Sequence, residues 1–149
     1  MKGWIDKNIE ELNLDMNPDF QRAYVWTPEQ KSRYVEYILK GGVSGKEIYF
    51  NCVGWMMDFQ GPFVIVDGKQ RVNAVLEFLD NKVAIFGNNF YQDFEDKLGT
   101  MDAYLLFNVN DLPTRREVLQ WYLDLNTGGT IHSEDELNKV KRLLKQEKV

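Results

Sequence analysis

The sequence predicts an α+β fold with a small sheet and about four substantial helices. Three observations lead there. Two β-rich runs, "KEIYFNCV" (46–53) and "PFVIV" (62–66), flank the turn-forming "GWMMDFQG" and read as neighbouring strands. Apolar residues recur at helical spacing, as at Val72, Val75, Leu76 and Leu79. Helix-start signals punctuate the chain: Thr27-Pro28 before one such stretch, and Ser133 with Glu136 three residues later before another.

Taken in order, "WIDKNIEELNL" forms a short opening helix with Ile5, Ile9 and Leu12 on one side. "MNPDFQRAYVW" is extended or turning, because the residue before a proline avoids the α region. The helix begun at Thr27-Pro28 runs to Leu39 or Lys40 and stops at Gly41-Gly42. After the two strands, the bend at Asp67-Gly68 opens the next helix. "KVAIF" reads as another short strand, and "MDAYLLFNV" has mixed strand and buried character. "LPTRREVLQWYLDLN" is helical from near Pro113-Thr114, "TGGT" breaks it, and 133–146 form the last helix. No repeat or linker interrupts the 149 residues, which suit one domain.

Composition narrows the function classes. No apolar stretch reaches the roughly 18 residues that span a bilayer, and acidic residues stand where a signal peptide needs an apolar block, so a cytoplasmic chain without membrane contact is expected. Cys52 is the only cysteine, which excludes an intrachain disulfide and suits a small core residue. His132, the only histidine, reads as a loop residue. One His and one Cys cannot build a structural zinc site or a two-histidine metallonuclease site. A net charge of −5 opposes a nonspecific DNA-coating role. The basic stretches "PTRREV" and "KVKRLLK" read as solvated helix faces, so DNA is expected as a partner only indirectly.

Three stretches carry candidate chemistry. In "FVIVDGKQRVNAVLEFL" (63–79), Gly68 permits a sharp bend and the next helix starts with unpaired amides and partial positive charge. Arg71 supplies a planar fork for phosphate oxygens and Lys69 a point charge. Asp67 suggests Mg²⁺, a ribose hydroxyl or an internal bond to Arg71; alternatively it is a helix cap on a plain strand–turn–helix corner. In "PDFQRAYVW" (18–26), Gln21 and Arg22 sit among Phe20, Tyr24 and Trp26, aromatics suited either to stacking on a base or to anchoring the core. In "LDLNTGGTIHSEDEL" (123–137), Asn126 with Gly128-Gly129 marks a helix stop and a loop able to approach a ligand, or a plain connector.

The three together, in this order, resemble the ParB/sulfiredoxin-like family marked by an Asp-Gly-Gln-Gln-Arg motif. That family forms the N-terminal part of the modification-dependent GmrSD restriction enzymes and of the SspE effector of phage defence. The matching residues are Pro18, Phe20, Gln21, Arg22, Tyr24 and Trp26, then Asp67, Gly68, Gln70 and Arg71, then Asn126, Gly128, Gly129, Glu136 and Leu137. The resemblance covers nearly the whole chain. It implies a ParB/sulfiredoxin-like fold and a nucleoside triphosphate pocket, with hydrolysis that regulates DNA cleavage in the nuclease members.

Carried over by position, Asp67, Gln70 and Arg71 are the expected catalytic motif, with Gln21 and Arg22 facing them. Gly68, Lys69, Tyr24, Trp26 and Asn126 are expected to contact the nucleotide, and Asp67 to position Mg²⁺ or a water. Lys69 stands where the family has Gln. It keeps a donor and adds charge, so a catalytic job belonging to that glutamine is not carried over. The family's HNH-type nuclease domain has no counterpart here, so the chain is not expected to cut DNA alone. The alternative functions are an interaction module or decoy for a nuclease or restriction subunit, and a DNA-binding adaptor.

Overall fold

The computed structural model describes residues 1–94, 103–127 and 133–147. The architecture is α+β, with five α-helices and one three-stranded mixed sheet among the described residues. The elements are α1 (Lys2–Leu12), α2 (Pro28–Leu39), β1 (Glu47–Cys52), β2 (Phe63–Asp67), α3 (Lys69–Leu79), β3 (Leu106–Asn110), α4 (Arg115–Thr127) and α5 (Glu134–Gln146). No described helix is long and apolar enough to cross a membrane.

The sheet order is β2-β1-β3. β1 pairs antiparallel with β2, as a short hairpin dictates, and parallel with β3. β1 is therefore central and its Ile48, Phe50 and Cys52 are buried. Cys52 is a small core residue, as expected. The outer edge of β2 is covered by Asp15, whose amide donates to Phe63 O at 2.8 Å and whose carbonyl accepts from Ile65 N at 3.1 Å.

The helix starts follow the sequence signals. Thr27 Oγ1 accepts from Gln30 N and Gln30 Oε1 accepts from Thr27 N, a reciprocal cap with Pro28 at the first helical position. Ser133 and Glu136 repeat the device on α5. Thr114 and Glu117 exchange the same bonds at the start of α4.

Three core clusters fix the layers. One joins α1 to the sheet through Ile5, Trp4, Phe50, Phe63 and Phe107. A second joins β2 to α4 and α5 through Val66, Leu119, Tyr122 and Val140, with Phe20 locked against Tyr122 at 5.2 Å. The third joins α2 to α3 through Val35, Ala74 and Phe78.

Several expectations are corrected. The "KVAIF" segment is no strand: it makes only an isolated bridge, Ile85 with Asn89. Its Val83 and Ile85 alternate inward because they plug the α2–α3 cluster, which mimics strand periodicity. On α1, Trp4, Ile5 and Asn8 face the core while Ile9 is 42% exposed. On α3, burial centres on Val72, Ala74 and Phe78, because the helix is wedged between the sheet and α2. Gly128, Gly129 and His132 lie outside the described residues.

Gly68 is constrained twice. Its φ is +94°, and a Cβ there would lie 2.5 Å from Ile48 Cδ1 and 3.3 Å from Ile48 Cα. Gly68→Ala should destabilise the protein by about 2–4 kcal/mol, the sum of left-handed strain and overpacking. Gly41 also has positive φ, but open space around it; Gly41→Ala should cost only about 1 kcal/mol. Urea denaturation of both variants checks this, and equal losses would mean that the close approach is not limiting.

Candidate functional site

The segment 17–26 is irregular, and side chains from the start of α3 hold it. Gln70 is buried, and both ends of its amide are engaged. Oε1 accepts from Val25 N at 3.1 Å and Trp26 N at 3.4 Å, while Nε2 donates to Ala23 O at 2.8 Å. Lys69 is also buried. Its ammonium donates to Arg22 O at 2.7 Å and to the Asn17 side chain, and lies 4.4 Å from the centre of the Tyr24 ring. Burial holds the Lys69 pKa below the ordinary lysine value, with the Asp15 carboxylate opposing that shift. Gln21 reaches the other way, donating to Val66 O at 2.6 Å and Ile65 O at 3.1 Å. Segment and strand–turn–helix corner are thus laced together in both directions.

This lacing encloses a cavity of about 600 Å³. Its wall is built from Gln21, Arg22, Val25 and Trp26 of the segment, Gln30 of α2, Asp67 through Arg71 of the corner, and Tyr122, Leu125 and Asn126 of α4. Arg22 and Arg71, distant in sequence, therefore border one hollow. Gly68, the residue before α3, offers no side-chain cap to the first helical amides. Positive charge is concentrated there: Arg22, Lys69 and Arg71 against Asp67 on the wall.

Each arginine also has an acidic neighbour. Arg71 Nη2 meets Asp67 Oδ2 at 2.7 Å, and Arg22 Nη1 lies 3.8 Å from Glu136 Oε2 at the start of α5. The cap reading of Asp67 is corrected: the helix begins after Gly68, and the Asp67 carboxylate bonds the arginine one turn on. Tyr122 is almost wholly buried and its phenol pKa is pushed up to about 12 by burial, so it stays neutral at any ordinary pH.

The sequence-predicted residues divide by placement. Gln21, Arg22, Trp26, Asp67, Gly68, Lys69, Gln70, Arg71 and Asn126 all line the cavity. Tyr24 does not; its half-exposed ring packs against the Lys69 ammonium instead. Asn126 lies in the last described turn of α4, as the sequence suggests, with Nδ2 donating back to Tyr122 O at 2.6 Å. Sequence reasoning missed Val25, Gln30, Tyr122 and Leu125. Tyr122 was signalled by spacing alone, since it stands one helical turn before Asn126 on the same face. The "PTRREV" patch is a surface face whose Arg115 pairs with Asp19 at 2.7 Å and Glu147 at 3.0 Å.

The motif, the segment that it holds and the α4 wall match one family model, the GmrSD restriction endonuclease N-terminal domain, over residues 1–146. The chain belongs to this family. No curated protein and no solved structure matches it. The GmrSD family is associated with modification-dependent restriction systems, which places the chain in a nuclease context.

Gln70 is the residue whose loss should reveal the lacing. Gln70→Met keeps the volume but removes three hydrogen bonds, which should cost about 1–3 kcal/mol. It should also speed amide hydrogen exchange at Val25 and Trp26 more than at β1. Unchanged exchange at those two amides would mean that other contacts hold the segment.

Proposed function

We propose that the cavity binds a nucleoside triphosphate and that this binding regulates DNA cleavage in the restriction system to which the domain belongs. The observation that carries the reading is the meeting of Arg22 and Arg71 beside the uncapped start of α3. Two guanidinium forks and outward amides suit several phosphate oxygens at once. A cavity of about 600 Å³ falls in the ordinary small-ligand range. Trp26, with Val25 and Leu125, gives the base or sugar an apolar wall.

In this reading Arg71 and Arg22 grip the phosphates, and the phosphates displace Asp67 and Glu136 from them. Lys69 and Gln70, whose polar atoms are engaged by the segment 17–26, act as positioning residues that fix the Arg22 backbone and the Trp26 wall. Asn126 and Gln30 border the remaining space.

The described residues hold no cluster of three or more metal-ligating side chains. Mg²⁺ fits as the companion of a bound triphosphate, with Asp67 as the one carboxylate among the described wall residues. There it would neutralise phosphate charge. Once released from Arg71, Asp67 is free to orient that ion or a water. Turnover would come from fixed positive charge placed against the phosphoryl group.

Titration calorimetry with ATP, GTP, CTP and UTP in Mg²⁺ tests the reading. Arg71→Ala should weaken binding by about 1.5–3 kcal/mol, the loss of a charge-assisted contact. Unchanged affinity for every nucleotide would sink it. Asp67→Asn should raise affinity in the absence of Mg²⁺, by releasing Arg71 and removing a like charge, and should abolish the gain that Mg²⁺ brings. Phosphate release that Arg71→Ala abolishes would mark a hydrolase; binding without release would mark a sensor.

A further inference from the structure

The reciprocal helix caps among the described residues do not close equally. At α2, Thr27 N donates to Gln30 Oε1 at 2.8 Å. At α4, Thr114 N donates to Glu117 Oε2 at 3.2 Å, and the same oxygen accepts from the Thr114 hydroxyl at 2.7 Å. At α5, Ser133 N donates to Glu136 Oε2 at 3.3 Å, and that oxygen also lies 3.8 Å from Arg22 Nη1. Charge-assisted N–H···O bonds close to roughly 2.7–2.9 Å when nothing competes. The Glu136 oxygen is shared between two donors and sits at its best distance from neither.

The second donor is a cavity residue. Arg22 borders the hollow, and none of the described wall comes from α5. Both side chains of the pair are partly covered, Arg22 24% and Glu136 34% exposed, so their attraction is less screened than that of a surface pair. Leu137, the next residue, packs into the cluster that holds Phe20, Tyr122 and Val140, and Tyr122 is itself cavity wall. The first turn of α5 is thus set between its own cap and a cavity arginine. A cation at that end also opposes the helix dipole.

We propose that Glu136 reports occupancy of the cavity to α5: when phosphates take Arg22, the carboxylate closes on Ser133 N and the start of α5 tightens. This regulation rests on the nucleotide reading given above. Two effects act in the same direction. Arg22 turned toward phosphate no longer draws on Oε2, and the phosphate charge repels the carboxylate toward its cap. Asp67 has no such reach. It pairs with Arg71 on its own strand–turn–helix corner, so displacing it changes only that corner. Glu136 is a positioning residue in this scheme, and by linkage whatever pins it on the cap favours nucleotide binding.

Amide hydrogen exchange followed by NMR reads the link with and without nucleotide. Saturating wild type with each of ATP, GTP, CTP and UTP in Mg²⁺, for those that calorimetry shows to bind, should slow exchange of the Ser133 amide by about threefold or more, the gain from improving one hydrogen bond. Arg22→Ala should slow the same amide in the absence of nucleotide, because it removes the competing donor. Glu136→Gln keeps a capping acceptor but not the charge. In that variant neither nucleotide nor Arg22→Ala should move the Ser133 amide, and triphosphate should bind about threefold or more tightly, since nothing competes for Arg22. The Thr114 amide, at the end of α4 away from the wall residues, should stay constant throughout; movement of both amides together would mean general tightening and overturn the link. Binding that leaves the Ser133 amide unmoved would overturn it alone, as would an unmoved Ser133 amide in Arg22→Ala. Absence of binding by every triphosphate would overturn the cavity reading and this regulation with it.

Discussion

The side-chain amide of Gln70 is the joint on which the site depends. It sits at the first turn of α3 and bonds three backbone groups of an irregular segment nearly fifty positions earlier. An uncharged amide suits this, because one end accepts while the other donates. A glutamate would lose the bond to Ala23 O, and a lysine would lose those to Val25 and Trp26. The buried ammonium of Lys69 adds the Arg22 carbonyl to the same clasp, and Gln21 answers from the segment to β2. Ordering an irregular chain costs about 1–2 kcal/mol per residue, so a segment without sheet or helix bonds needs such anchors.

The clasp also explains how an acidic protein concentrates positive charge at one place. Placing Arg22 against the wall depends on Lys69 holding its carbonyl; placing Arg71 depends on the bend that Gly68 permits. Asp67 and Glu136 keep those guanidinium groups company until something more negative arrives. Such pairing lets like charges gather in a partly buried hollow without severe repulsion. An incoming phosphate would exchange partners with them instead of meeting bare charge, which suits reversible occupancy.

Much of the fold was legible because local rules and tertiary needs agree. Thr27, Thr114 and Ser133 start helices with reciprocal caps, and the hairpin around the methionine loop has the strands expected of it. Where the reading slipped, at Ile9, "KVAIF" and the α3 face, periodicity was right but its partner was not. An apolar stripe states that something is covered, not what covers it. Val83 and Ile85 alternate like a strand, yet they fill a gap between two helices.

The site was legible as a residue set and not as an arrangement. By itself the sequence determined the bend at Gly68, the helix start after it, the candidate arginines and the family, since these rest on short-range chemistry and on a motif. Tertiary structure alone decided that Lys69 and Gln70 face backbone, that Tyr24 leaves the wall, and that Tyr122, Leu125 and Gln30 join it. The physical reason is that a hydrogen bond across dozens of residues leaves no periodic trace. Its partners are main-chain groups that every residue possesses, so no side-chain pattern can announce them.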